Sequence, residues 1–397
     1  WDIIKKYTNP YEFIHTNYQN GKTTSKVKPL SRAYYKMIEI IKEFDIFSNC
    51  KYKNIQTFHL AEGPGGFIEA VLHSRNNKND VYYGMTLVNS VDNNVPGWTK
   101  SKTFLETNNN VLLERGNTGD GDLYDSSNLE YCYHKYKHSM DIITGDGGFD
   151  FSIDFQKQEI LASRLILSQV FYALLMQSTN GNFILKVFDI FMKSSVDIIF
   201  ILNSFYEEVY IYKPKTSRYA NSEKYIICKG FKGINNRTCL KILDIFKSIK
   251  FNMNMNMNMN MNMNMNMNMN ACLNKSLNAN YMDNMDNMDN MDNMDNMDNM
   301  DVDKKDKKEI YIQSILCKKI PLVFNIELQE INSIYGQQQL ENIMNTIIFI
   351  NQNNLKYEKI EKIKKENIYL CIEWCKKYNV DYYKYKNNNL FQNNKFS

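Results

Sequence analysis

Ala61-Glu62-Gly63-Pro64-Gly65-Gly66-Phe67 follows directly on the apolar run Thr57-Phe58-His59-Leu60. A strand that turns sharply into a helix must let its backbone approach a ligand closely. Glycine permits that approach, because it has no Cβ and takes φ > 0 freely. Alone, such a cluster is a weak signal for a nucleotide-like ligand. Its surroundings make it informative.

Upstream, Ser31 to Phe47 carries Tyr34, Tyr35, Ile38, Ile41 and Phe44 at helical spacing, with Ser31 placed as the cap. Downstream, strand-like and helical runs alternate. Thr57–Glu62 reads as a strand and Gly66–Ser74 as a helix. Val81–Leu87, Val111–Glu114 and Met140–Gly145 read as strands, and Gln156–Gln177 as a long helix. Asn182–Phe188 is a strand, Val196–Tyr206 a helix, and Glu208–Tyr212 and Lys224–Lys229 complete the set. This alternation predicts an α/β fold with about seven strands, mostly parallel and covered by helices on both faces. The last two strands are joined by about ten residues without a helix, which predicts an antiparallel pair at the sheet edge. Ligands of such sheets bind beyond the carboxyl ends of the strands, where the strand order reverses.

The chain has 397 residues, a formal net charge of +4 and a pI of about 8.4. This mildly basic balance is compatible with nucleic acid but does not establish it. From Asn252 to Asn270 Asn alternates with Met, and from Met282 to Asp301 the chain repeats Met-Asp-Asn. A period of three matches neither the strand nor the helix period, so that stretch has no face to bury. The expected organisation is therefore a main domain over 1–250, a disordered low-complexity insert over 251–303 and a helical tail over 304–397. In the tail, Leu340–Ile350 and Ile360–Lys377 read as helices. The second places Ile363, Ile368, Cys371, Ile372 and Cys375 amid lysines, as expected of a helix packed on the main domain; a separate helical unit is the alternative. Deleting Asn252–Asp301 should leave the thermal transition intact in calorimetry, since a low-complexity loop adds no core; its collapse would show otherwise.

None of the eight cysteines forms a Cys-x-x-Cys pair, so reduced thiols in an intracellular protein are expected, in nucleus or cytoplasm. Cys371 and Cys375 flank Trp374 at helical spacing and read as core. Cys132, His134 and His138 offer three zinc ligands but no fourth, so no metal is expected. No run of 18 apolar residues suggests a bilayer span. The chain opens with Trp1 and reads as a fragment, so any targeting signal is out of view.

Four positions carry the chemistry: Lys36 in the first helix, Asp146 at a strand end, Lys186 within a strand and Glu223 opening the last strand. Singly, each has an ordinary explanation as a solvated lysine, a turn former or a strand-start acid. Lys186 is harder to dismiss, lying between Phe183-Ile184-Leu185 and Val187-Phe188. A central strand buried on both faces seldom carries a lysine without a partner.

Ser31-Arg32-Ala33-Tyr34-Tyr35-Lys36, Ala61–Phe67, Asp141-Ile142-Ile143-Thr144-Gly145-Asp146-Gly147-Gly148-Phe149, Gly181–Phe188 and Ser217-Arg218-Tyr219-Ala220-Asn221-Ser222-Glu223 together resemble the FtsJ-type RNA 2′-O-methyltransferases. Gly84-Met85-Thr86-Leu87 and Gly119-Asp120-Gly121-Asp122 point within that family toward the eukaryotic and viral branch that includes cap-specific mRNA 2′-O-methyltransferases. The resemblance runs in order over residues 10 to 235 and leaves the repeats and tail untouched. It implies a Rossmann-like methyltransferase fold, S-adenosylmethionine as cofactor, RNA (capped mRNA) as partner, and a Lys-Asp-Lys-Glu tetrad at Lys36, Asp146, Lys186 and Glu223.

The physics of the reaction fits that mapping. Methyl transfer from a sulfonium to a ribose hydroxyl needs the oxygen in line with the methyl and its proton drawn away. Burial and a second lysine lower a lysine pKa from about 10.4, while carboxylates raise it. Lys186 is assigned as the general base or the group that polarises the hydroxyl. Lys36 adds positive field, Asp146 and Glu223 orient the lysines, and which lysine is neutral stays open.

For the cofactor, the resemblance implies Glu62, Gly63, Pro64, Gly65, Gly66 and Phe67 around its methionine part and ribose, Asp146 near the methyl, and Asp120 or Asp122 at the adenine amino group. For RNA, Lys28 and Arg32 precede Lys36, and Lys213, Lys215 and Arg218 precede Glu223. Phosphate contacts from such groups would hold a strand without reading its bases. Tyr34, Tyr35, Tyr219 and Trp98 are candidates for base stacking. Two alternatives remain: a ribosomal or transfer RNA 2′-O-methyltransferase of the same family, or a non-catalytic RNA-binding subunit of the same fold. The intact tetrad argues against the second.

Overall fold

The strand before the glycine turn, β1 (Gln56–Leu60), is buried from Thr57 onward, as a strand covered on both faces must be. The computed structural model describes residues 4–18, 22–88, 97–148, 157–254, 312, 314–316, 319–351 and 357–383. Parallel to β1 lie β2 (Val81–Met85) on one side and β4 (Met140–Gly145) on the other. Beyond them come β3 (Val111–Glu114) and β5 (Gln177–Val187). With β6 (Tyr206–Tyr212) and β7 (Lys224–Phe231), the seven strands are ordered β3-β2-β1-β4-β5-β7-β6. The order reverses between β1 and β4, which places the ligand crevice above their carboxyl ends.

Successive side chains of a strand face opposite sides, and the two cores follow that alternation. Phe183, Leu185, Ile226 and Cys228 join one core. It is built with α5 (Ser126–Tyr136), α6 (Gln158–Met176), α7 (Lys193–Phe205) and α8 (Asn236–Asn254). Ile184, Tyr225 and Ile227 join the other, built with α2 (Ala33–Glu43) and α3 (Gly66–Arg75). The tail helix α10 (Tyr357–Lys377) adds Ile368, Cys371, Trp374 and Cys375 to that second core. Trp374 Nε1 donates to Glu39 Oε2 at 3.0 Å. The preceding helix, α9 (Leu322–Asn351), crosses the strand ends and meets α1 (Lys5–Thr8), where Asn342 Nδ2 donates to the Thr8 carbonyl at 2.7 Å. A short helix, α4 (Lys102–Thr107), lies between β2 and β3.

Several expectations shift. α2 starts at Ala33, and its cap residue is Arg32 with no side-chain cap bond; Ser31 supplies only its carbonyl, to Tyr34 N at 3.2 Å. β5 starts at Gln177, because the chain passes from α6 into Met140↔Gln177 pairing and the register then slips to Ile142↔Asn182. The polar Ser178-Thr179-Asn180-Gly181 spans the slip and belongs to the strand, whose expected start is Asn182. β6 and β7 are antiparallel as expected, but β7 lies inside the sheet, paired also with β5. The first tail helix begins at Leu322 rather than Leu340.

α6 is long and apolar enough to cross a membrane by length and composition, yet 83% of its apolar 18-residue window is buried inside the fold, as in the core helix of a globular domain. Among the described residues no group of three His, Cys, Asp or Glu converges on a metal position. The repeats from residue 255 onward, and with them nearly all of the expected insert, lie outside the described residues.

Candidate active site

Strand register builds the site. Gly145 pairs with Leu60 on one side and with Leu185 on the other, while Val187 pairs with Lys224 across the antiparallel step. Asp146, Lys186 and Glu223 therefore emerge on one rim, from stretches far apart in the chain. α2 lays Lys36 against them. Lys36 Nζ lies 2.6 Å from Glu223 Oε1. Lys186 Nζ donates to the Asp146 carbonyl at 2.6 Å and stands 3.4 Å from its Oδ1. All four tetrad positions come together.

Supporting groups hold this cluster. Tyr225, paired with Lys186 in the register, donates its hydroxyl to Asp146 Oδ1 at 3.0 Å and presents its ring 5.9 Å from Lys36 Nζ. Ser217 Oγ donates to Glu223 Oε1 at 2.8 Å. Burial alone would raise the Glu223 pKa, but Lys36 and Lys186 outweigh it and hold the carboxyl below its usual range. Burial also pulls Lys36 down from the ordinary ammonium range, with Glu223 opposing and Arg32 adding to the drop. Two lysines and two carboxyl groups in a water-poor rim form a field aimed at whatever enters.

The rim opens into a cleft of about 1300 Å³. One end is lined by Gly63, Pro64, Thr86, Leu87, Gly121 and Asp122, the other by Lys36, Lys186, Glu223 and Arg218. At the first end the loops close tightly: a Cβ on Gly121, which has φ +72°, would stand 2.2 Å from the Thr86 carbonyl. An elongated group with a nucleoside at one end fits such a cradle.

The glycine turn divides its labour differently from the expectation. Gly63 and Pro64 line the cleft, whereas Gly65 is the α3 cap at φ 107°, Gly66 abuts the Ser31 hydroxyl, and Phe67 is fully buried against Tyr225. Glu62 also turns inward. Its Oε1 accepts from Phe67 N at 2.6 Å and Ile68 N at 3.2 Å, so it stabilises the start of α3. Burial and nearby Asp146 push the Glu62 pKa well above normal, and its buried Oε2 has no hydrogen-bond partner among the described residues. Of the two turn acids, Asp122 lines the cleft. Asp120 is occupied by the Thr118 hydroxyl and by Asp122 N at 3.0 Å.

The basic residues divide as well. Arg32 and Arg218 line the cleft, and Arg218 also grips Glu12 at 2.7 Å. Lys28 and Lys215 are exposed outside it. Lys213 is not a surface phosphate contact: its Nζ donates to the Asn221 side chain at 2.9 Å and to the Glu223 carbonyl at 3.0 Å. Burial, against the pull of Glu223, lowers its pKa to about 7. Tyr34 and Tyr35 are core residues, and Trp98 packs on β2 where Gly84 leaves no room for a Cβ.

Sequence reasoning missed Tyr225, Ser217, Glu12 and Glu39. Buried Glu39 accepts from the Tyr212 hydroxyl at 2.6 Å and Lys215 N at 2.7 Å, and so fixes the loop before Glu223. Its partners lie far along the chain, so no local spacing signals it.

A doubly wound sheet reversing at β1/β4, with this cleft above the reversal, defines a Rossmann-like methyltransferase. The chain belongs to the FtsJ-like methyltransferase family, whose model matches residues 29–231. It is 31% identical over 258 residues to cap-specific mRNA (nucleoside-2′-O-)-methyltransferase 1 of Xenopus laevis, covering 62% of this chain and 29% of that protein. It is 28% identical over 228 residues to cap-specific mRNA (nucleoside-2′-O-)-methyltransferase 2 of Drosophila melanogaster, covering 53% of this chain and 31% of that protein. The chain thus spans about three tenths of the length of these relatives. A solved ribosomal RNA methyltransferase of Plasmodium falciparum aligns at a TM-score of 0.36 and 20% identity, over 51% of this chain and 99% of that one, too loosely to bear on function.

Proposed function

We propose that this chain methylates the ribose 2′-hydroxyl of RNA, using S-adenosylmethionine, on a cap-proximal nucleotide of mRNA. The observation that carries the reading is the meeting of Lys36, Asp146, Lys186 and Glu223 at one rim of the cleft. Gly63 and Pro64 would hold the methionine part of the cofactor, with Thr86, Leu87 and Asp122 around its adenosine. When bound there, S-adenosylmethionine supplies an electrophilic methyl on a sulfonium.

The chain's own residues do the rest. Lys186 meets the incoming hydroxyl: as a neutral amine it takes the proton while the oxygen attacks the methyl, and as an ammonium it would instead stabilise the developing alkoxide. The Asp146 carbonyl accepts from Lys186 Nζ and its carboxylate stands beside it, which orients the amino group, and Tyr225 donates to that carboxylate. Lys36, held by Glu223 and through it by Ser217, contributes positive potential beside the developing alkoxide. Arg32 and Arg218 lie where phosphates flanking the acceptor ribose would pass.

The cap-specific names of the relatives support the mRNA reading over a ribosomal or transfer RNA one. Radiolabelled methyl transfer to matched short RNAs, capped and uncapped, separates them. Incorporation into the capped RNA at more than about ten times the uncapped rate is expected. Equal incorporation into both removes the cap reading.

A further inference from the structure

The cleft extends past the residues that the family model covers. Lys5 and Asn9, and Gln339 and Ile343 of α9, line it from outside the span 29–231. α9 is tied along its length to the strand ends and their loops. Asn332 Nδ2 donates to the Ile190 carbonyl at 3.0 Å, the Tyr335 hydroxyl to the Ile211 carbonyl at 3.2 Å, and Gln339 Nε2 to the Ala220 carbonyl at 3.3 Å. These positions, three and four apart, lie on one helix face. Ile343 stands one turn beyond Gln339 on that face, half-buried and with its apolar side chain in the cleft wall.

The neighbouring wall is polar: Arg218, Asn221 and Glu223 come from the loop that Gln339 holds. An apolar side chain among such groups suits the face of a base, whereas phosphates would seek the arginines. We propose that Ile343 is a substrate contact that packs against the base next to the ribose being methylated, so that the tail helix takes part in RNA binding. This rests on the RNA reading above.

Ile343→Asp puts a carboxylate where that base would lie, at a half-buried helix position. The KM for a short single-stranded RNA should rise about tenfold, with kcat changed less than about twofold. Calorimetric affinity for S-adenosylhomocysteine and the thermal midpoint should stay at their wild-type values. Met344→Asp, at a neighbouring position that is 50% exposed, serves as the charge control and should leave the RNA KM unchanged. An unchanged KM in Ile343→Asp, or an equal rise in Met344→Asp, overturns the proposal. Failure of the wild-type protein to bind RNA in fluorescence anisotropy overturns the functional reading, and this inference with it.

Discussion

Replacing Lys186 by alanine should slow single-turnover methyl transfer by roughly a thousandfold, the range expected when a proton-accepting group and its field are both lost. RNA affinity in anisotropy should stay within about twofold of wild type, because binding draws on Arg32, Arg218 and the wider cleft. The asymmetry follows from geometry. Among the described residues the hydrogen-bond and ion-pair partner of Lys186 Nζ is Asp146, and Lys186 lines the cleft, so its removal strips the reacting centre and spares the binding walls. The carbonyl and carboxylate of Asp146 lose Lys186 Nζ, while the carboxylate keeps the Tyr225 hydroxyl. Turnover above about a tenth of wild type would refute Lys186 as the group at the hydroxyl.

The second large effect concerns stability in acid. His59, fully buried in β1, bridges Thr57 Oγ1 at 2.9 Å and Thr144 Oγ1 at 2.8 Å, and burial lowers its pKa to about 3 from 6.5. The native state therefore refuses a proton that the unfolded chain accepts. Between pH 6.5 and about 3 the unfolded chain binds more protons, so stability falls as pH falls through that window and is complete above it. Carried to pH 4, the loss from this residue is about 3 kcal/mol relative to pH 7. His15, held near 4 by burial and by Arg32, adds a smaller share in the same direction. His59→Gln keeps a donor and an acceptor between the threonines but has no proton to gain. Its thermal midpoint should fall less steeply from pH 7 to pH 4 than that of wild type. Parallel slopes for the two proteins would show that His59 carries no such penalty.

The parts of the fold that local chemistry specifies match the sequence reading closely. β3 and β4 begin and end where expected, because apolar runs there stop at turn residues. α5 and α8 escaped the reading. α5 buries Asn128 alongside Leu129, Cys132, Tyr133 and Tyr136, so its inward stripe is not purely apolar. The start of β5 depends on a register slip against β4, a long-range event that leaves no local periodicity. The site divides along the same line. Lys186 betrays itself by sitting in an apolar strand, and the other tetrad members follow from the motif resemblance. Glu39 and Tyr225 acquire their roles only when the sheet closes. Lys213 reads as a basic rim residue beside Arg218, yet the turn at Asn221 folds back onto its ammonium and makes it a brace for Glu223.

The chemical identity of the product tests the central claim most directly. After transfer to a short RNA, complete nuclease digestion and mass spectrometry locate the added methyl. Two lysines gathered around an acceptor oxygen predict a ribose-methylated nucleoside, with the adjacent linkage resistant to alkali. A methyl found on a base instead would contradict a site built for a sugar hydroxyl.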